Sequence, residues 1–262
     1  MSFGDLKNTT LDAFIKEEHA RQAGNDRLWV FHHIPKTAGS SFSHDLAKMR
    51  PPYMNIHVDH AKTDVTVEDQ LNIVTEEAIR RACAGELRSC SGHLRRQHID
   101  RIEAEVPNTA FVTILRHPVD RVISSYRYQR TETHPGHEDF IRAFPTLEDF
   151  VRDRTSQNGI SKFLWGMGRL PRPHEIARLL FERYSFVGTQ ESYDESVGII
   201  ARLMGAELPE VTSQVNITPD NARTTVSVDR ALRREIASLN RSDMAIYRRV
   251  ATLLKEARQG AV

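Results

Sequence analysis

Apolar residues recur along the chain with two different spacings, and the switch between them marks the elements. Leu28 to Phe31 is a continuous apolar run of the length of a buried strand. Behind it Phe42, Leu46 and Met49 fall at i, i+4 and i+7 and share one helical face, which Pro51-Pro52 ends. Thr109 to Leu115 is the second clear strand, β-branched and nearly continuous. A helix from Val119 to about Gln129 follows it, with Pro118 at its start. Shorter strands are expected at Ile56 and Val58, over Leu87–Ser91, which leads into Gly92-His93, and over Ser185–Thr189. Helical spacing predicts Thr10–Ala23, capped by Thr9 or Thr10 and stopped at Gly24, then Glu68–Ala84 with Leu71, Val74, Ala78 and Ile79 on one side. Further helices are expected over Ile99–Val106, Thr146–Arg152, Asn158–Trp165, Pro173–Tyr184 and Ser192–Met204, and near Val228–Leu239 and Asp243–Ala257. Residues 59–64, 131–145 and 206–227 read as loops.

Strands alternating with helices predict an α/β fold with an open, mostly parallel central sheet flanked by helices. No repeat, low-complexity tract or domain-scale linker interrupts the pattern. Residues 1–262 therefore read as one domain: a helical extension over 1–26, a core over 27–130 and a mostly helical half over 131–262. That length is enough for a sizeable core.

Charge changes the picture mainly by exclusion. The chain has 36 Lys and Arg against 35 Asp and Glu, a balance that argues against a general binder of nucleic acid or anionic membrane. No stretch approaches the ~18 apolar residues of a spanning helix. Met1 to Lys7 has no basic-then-apolar leader pattern. Cys83 and Cys90 have no nearby second pair and suit neither a zinc site nor a redox motif, so they read as buried thiols in a reducing compartment, by default the cytoplasm. No metal constellation is expected, and nothing indicates an oligomer.

In a parallel sheet ligands sit at the carboxyl ends of the strands, and three strands here end in chemistry. The first ends in His33-Ile34-Pro35-Lys36-Thr37-Ala38-Gly39-Ser40-Ser41, a turn with one Lys, one Gly and three hydroxyls before a helix. Main-chain N–H groups and the helix dipole there favour an anion. Lys36 would add a charge, Thr37, Ser40 and Ser41 hydroxyl donors, and Gly39 close approach of the backbone. The turn is not G-x-x-x-x-G-K-[ST], because Lys36 precedes Gly39. A polar turn with an incidental Lys is the competing reading. The Leu87 strand ends in Gly92-His93, a potential base. The Thr109 strand ends in Arg116, just before a helix that carries Ser124 in its second turn. The Arg fork and the Ser hydroxyl make a second anion site, against the alternative of a structural ion pair. Arg121 and Arg127 read as solvated helix charges. His32 and His33 point to opposite faces of the first strand, one towards a pocket and one into the core.

The cradle sequence resembles the 5′-phosphosulfate loop of sulfotransferases that use 3′-phosphoadenosine 5′-phosphosulfate. Leu115-Arg116-His117-Pro118-Val119-Asp120-Arg121-Val122-Ile123-Ser124-Ser125-Tyr126 resembles their 3′-phosphate motif. The wording is nearest the carbohydrate branch that includes heparan sulfate 2-O-sulfotransferase. Gly92-His93, Phe186-Val187-Gly188-Thr189-Gln190-Glu191-Ser192-Tyr193 and Asp243-Met244-Ala245-Ile246-Tyr247 are similar to that branch as well. The resemblance implies a P-loop-like three-layer fold and sulfuryl transfer to a hydroxyl of a carbohydrate or glycolipid. It makes 27–130 the donor-binding core and 131–262 the half with acceptor and donor-covering elements. It implies a donor held by Lys36, Thr37, Ala38, Gly39, Ser40, Ser41, Arg116 and Ser124. Lys36 would stabilise the leaving phosphate, and His93 would be the base, with Glu191 a weaker rival. Asn216, Thr218 and Thr225 fall where relatives place a donor-covering loop. Arg95, Arg96, Arg127 and Arg130 are either contacts for an acidic sugar or a solvated face. Golgi members carry a membrane anchor and lumenal disulfides; this chain shows neither pattern. A kinase would need a Walker-type Lys and a magnesium-binding acid, and a catalytically silent module would lack Lys36 or a base; the residues favour neither.

Overall fold

A computed structural model of the chain describes residues 1–22, 27–59, 64–166, 168–208, 221 and 223–260. Among these, five strands form one all-parallel sheet: β1 (Trp29–His32), β2 (Tyr53–Ile56), β3 (Ser89–Gly92), β4 (Ala110–Leu115) and β5 (Tyr184–Thr189), in the order β2-β3-β1-β4-β5. Every residue of β1, β3, β4 and β5 is buried, whereas the edge strand β2 is only partly so. Complete burial means cover on both faces, and it explains why β1 and β4 read as nearly continuous apolar runs without alternation, while β3, Ser-Cys-Ser-Gly, is buried with small residues.

Helices α1 (Leu11–Gln22), α2 (Gly39–Met49), α3 (Val67–Cys83) and α4 (Arg96–Glu105) belong to the first part of the chain. Thr10 caps α1, its hydroxyl accepting from the Ala13 N–H at 3.2 Å, and Thr66 caps α3 in the same way. Next come α5 (Pro118–Gln129), α6 (His137–Ala143), α7 (Leu147–Arg152) and α8 (Gly159–Trp165). The last are α9 (Pro173–Arg183), α10 (Tyr193–Met204), α11 (Arg230–Leu239) and α12 (Arg241–Gln259). The main core surrounds the sheet. A second apolar cluster joins α5, α7 and α11 through Val122, Tyr126, Phe150 and Ile236.

Several boundaries differ from the expectations. The first strand extends to His32, β2 is Tyr53–Ile56, and β3 is Ser89–Gly92, which leaves His93 as the first residue beyond the sheet. Three elements lie outside the expected set: a 3-10 turn at Phe3–Asn8 that buries Phe3 and Leu6, a second 3-10 turn at Gln190–Ser192 after β5, and α6 inside the expected 131–145 loop. No residue of α6 is fully buried; it packs on the second cluster chiefly through the half-buried Phe140, too little apolar pattern to read as a helix. Cys83 is exposed, contrary to expectation, and Cys90 is buried, which pushes its thiol up to about 12. Gly24, Asn216 and Thr218 lie outside the described residues.

The register brings the chemistry together. β1 lies between β3 and β4, with His32 opposite Gly92 and Phe31 opposite Val112. The chain leaves β1 towards β2 and β3 on one side, and β4 and β5 lie on the other. The carboxyl ends of β1, β3 and β4 therefore meet where the strand order reverses, the usual ligand position in an open α/β sheet.

Candidate active site

The turn from β1 into α2 is strained. Lys36 and Ala38 have φ of 69° and 66°, two side-chain-bearing residues in left-handed backbone. Such positions cost about 1–3 kcal/mol each and persist where the surroundings enforce them. Thr37, fully buried between them, donates its hydroxyl to the Ile34 carbonyl at 2.9 Å and braces the turn. Its hydroxyl is thus committed to the backbone and is not the outward donor that the sequence suggested. Left-handed residues in a turn direct N–H groups into one concavity, an anion-binding nest. Ser40 and Ser41 continue it as the second and third residues of α2. Gly39 is needed for a reason the sequence did not show: a Cβ there would overlap the His33 ring.

The Lys36 ammonium sits 3.8 Å from the centre of the Tyr128 ring, a cation–π contact. Burial, helped by the Arg116 charge, lowers its pKa to about 8, so at neutral pH it is a cation held at some cost. Arg116 follows β4 directly, and its Nη1 lies 3.5 Å from the Lys36 carbonyl. Its Nε is buried with no hydrogen-bond partner among the described residues. Burial works against this guanidinium while Asp120 and Glu191 support it. Two half-desolvated cations side by side, one with an orphaned donor, form a site short of an anion. Ser124 is half-buried in the second turn of α5, and Tyr128 stands one turn further on the same face. That i, i+4 relation was the one sequence signal for Tyr128.

His93 borders a cavity of ≈650 Å³ that His33, His57, His134, Ser40, Ser43, Asn55 and Tyr128 also line. Among the described residues no carboxylate lines it. His93 Nδ1 is 2.7 Å from the His33 carbonyl oxygen. A carbonyl only accepts, so the proton resides on Nδ1, and Nε2 is the basic nitrogen of the neutral ring; the tautomer follows from this bond. The His33 ring packs tilted against that of His93 with centroids 4.1 Å apart, and burial keeps it neutral, lowering its pKa to about 2. His32 is the core histidine: Nε2 donates to the Leu94 carbonyl at 2.8 Å and Nδ1 accepts from the Tyr184 hydroxyl at 2.6 Å. Burial lowers its pKa to about 4.

Other expectations need correction. Arg121 is not solvated but 7% exposed, packed where a Cβ on Gly159 would have to be, and Asp243 is its supporting charge. Arg127 and Arg130 donate to the carbonyls of Thr224 and Arg223 at 3.1 and 2.7 Å. Arg95 pairs with Glu68, and Arg96 lies 4.1 Å from the Trp165 ring. These four are structural contacts more than a free basic face. Glu191 has both oxygens engaged, by the His117 N–H at 2.6 Å and the Tyr247 hydroxyl at 2.9 Å. Thr225 is exposed, its N–H bonded to the Asn221 carbonyl. Among the described residues no cluster of three or more His, Cys, Asp or Glu is arranged to hold a metal, and no helix is long and apolar enough to cross a membrane.

Residues 19–248 match the family model of the Sulfotransferase family, and the chain belongs to that family. Among solved structures, a sulfotransferase from Alicyclobacillus acidocaldarius is similar at 16% identity and a TM-score of 0.45, over 87% of this chain and 95% of that one. The sulfotransferase domain of the Synechococcus PCC 7002 olefin synthase is similar at 13% identity and a TM-score of 0.42, over 86% and 94%. No curated protein sequence matches significantly.

Proposed function

We propose that this sulfotransferase-family chain moves a sulfuryl group from 3′-phosphoadenosine 5′-phosphosulfate to a hydroxyl of a carbohydrate or glycolipid. The observation that carries the reading is the meeting of three groups at neighbouring strand ends: the Lys36 cradle on β1, Arg116 on β4 and His93 on β3. The cradle and Arg116 form two cationic subsites, one for each end of a nucleotide with both a 5′-phosphosulfate and a 3′-phosphate. Ser40, Ser41 and the Ala38–Gly39 backbone complete the first subsite, and Ser124 the second.

Sulfuryl transfer builds negative charge on the leaving phosphate oxygen. Lys36 and the turn N–H groups would stabilise that charge from positions the fold already fixes, with little reorganisation. His93 Nε2, set by the Nδ1 bond to His33, takes the proton of the acceptor hydroxyl as oxygen attacks sulfur. The cavity walled by imidazoles, hydroxyls and Asn55 offers a polyol both donors and acceptors. It supports a polyhydroxyl acceptor such as a carbohydrate or the sugar of a glycolipid. The two cysteines, both free thiols, suit the cytoplasm as the site of reaction.

Incubation with labelled donor and a panel of sugars tests the proposal. His93→Ala is expected to lower the transfer rate about 10²–10⁴-fold while donor affinity stays unchanged. Transfer at the wild-type rate in that variant would remove His93 from the mechanism.

A further inference from the structure

Two sequence motifs remain without a role in this chemistry: Phe186-Val187-Gly188-Thr189-Gln190-Glu191 at the end of β5, and Asp243-Met244-Ala245-Ile246-Tyr247 at the start of α12. They converge on a third, the turn Arg116-His117-Pro118. β4 and β5 are paired with Leu115 opposite Thr189, so His117 and Glu191 are each two residues beyond the last rung. There the Glu191 side chain takes over from the ladder: Oε1 accepts the His117 N–H at 2.6 Å. Oε2 accepts the Tyr247 hydroxyl at 2.9 Å, and the Tyr247 ring stands edge-on to the His117 imidazole at 5.3 Å. A carboxylate on the N-cap residue of α5 also complements the helix dipole. Tyr247 in turn belongs to a helix whose first turn is locked onto α8 by Asn158 and Asp243.

Arg116 precedes this anchored residue directly, and its side chain has little else to fix it. Its one hydrogen bond among the described residues is the long contact to the Lys36 carbonyl, and its Nε has no partner. We propose that Glu191 and Tyr247 are positioning residues that hold the His117 backbone, and with it Arg116, in place to recognise a 3′-phosphate. The proposal rests on the donor reading above and adds to it the device that makes the nucleotide site selective. Neither residue touches the nucleotide in this account. This gives Glu191 a structural role in place of that of general base, since both its oxygens are engaged within the fold.

Isothermal titration of the full chain with adenosine 3′,5′-bisphosphate and with adenosine 5′-monophosphate tests this. The readout is the ratio of the two affinities, which a general loss of stability would not move. Glu191→Gln must set an amide NH2 against one of two donors. It is expected to lower affinity for the bisphosphate about tenfold and leave that for the monophosphate within about twofold. Tyr247→Phe keeps the ring against His117 and removes only the hydroxyl. It should shift the ratio in the same direction by about threefold, and it carries the test alone if Glu191→Gln is unstable. An unchanged ratio, or equal losses for both ligands, overturns the clamp while leaving the donor reading standing. A ratio that rises shows the Glu191 carboxylate competing with the phosphate and also overturns it. A wild type that binds both nucleotides equally defeats the donor reading itself, and the clamp with it.

Discussion

Lys36 is a cation placed where the folded chain, left to itself, would rather have none. Its pKa of about 8 lies below that of a free lysine, so between pH 8 and about 10.4 the unfolded chain binds the extra proton and stability rises with pH. Below pH 8 the full cost is present. Lys36→Met is therefore expected to stabilise the protein at pH 7, by about 1 kcal/mol after discounting for partial exposure. The gain should fade as pH rises through 8 towards 10.4, as read by thermal melts across that range. The same substitution should weaken donor binding by about tenfold or more, and wild-type affinity for adenosine 3′,5′-bisphosphate should fall as pH passes 8. A destabilised Lys36→Met protein would contradict the account of the cradle. Gly39 makes a different point. Helix propensity alone favours Ala there by about 1 kcal/mol, but the added carbon meets the His33 ring, which also packs against His93. Gly39→Ala is expected to lower the melting temperature and to weaken donor binding and transfer together; an unchanged protein would show that His33 yields freely.

Among the elements, α8 and α12 depend on each other. Asp243, fully buried, accepts the N–H groups of Ile160 and Ser161 at 2.9 and 2.7 Å, while Asn158 accepts those of Ser242 and Asp243 at 3.0 and 3.4 Å. Each helix caps the other, and Asp243 also supports the buried Arg121. Asp243→Ala would orphan two N–H groups and leave that guanidinium uncompensated, at a cost of about 3–5 kcal/mol. Chemical denaturation measures this, and a loss below 1 kcal/mol would mean that Arg121 finds another partner. None of this pairing was legible along the chain, where Asn158 and Asp243 are 85 residues apart and Arg121 resembles any helix charge. What was legible is local: the Leu28 run, the polar turn, the Phe42-Leu46-Met49 stripe and the β-branched Thr109 run each announce their element. Helix α6 announced nothing because it buries no residue completely. The site divides along the same line. Lys36, Arg116 and His93 could be read as strand-end residues, but the role of Thr37 depends on the path of the turn back to the Ile34 carbonyl, and that of Glu191 on an N–H and a hydroxyl that only the fold brings near.

At the scale of the molecule, the order β2-β3-β1-β4-β5 makes neighbours of residues 36, 93 and 116. The all-parallel sheet delivers their strand ends to one edge, and the reversal of strand order at β1 opens the crevice between them. In the proposed function the two cationic subsites act on one nucleotide, with the cavity beside His93 for the acceptor. Titration of wild type, Lys36→Ala and Arg116→Ala with adenosine 3′,5′-bisphosphate, set against ATP with magnesium, tests this most directly. The expected result is preference of the wild type for the bisphosphate, with each variant weakened by tenfold or more, about the loss of one charge-assisted contact. Tighter binding of ATP with magnesium, or wild-type affinity in both variants, would contradict it.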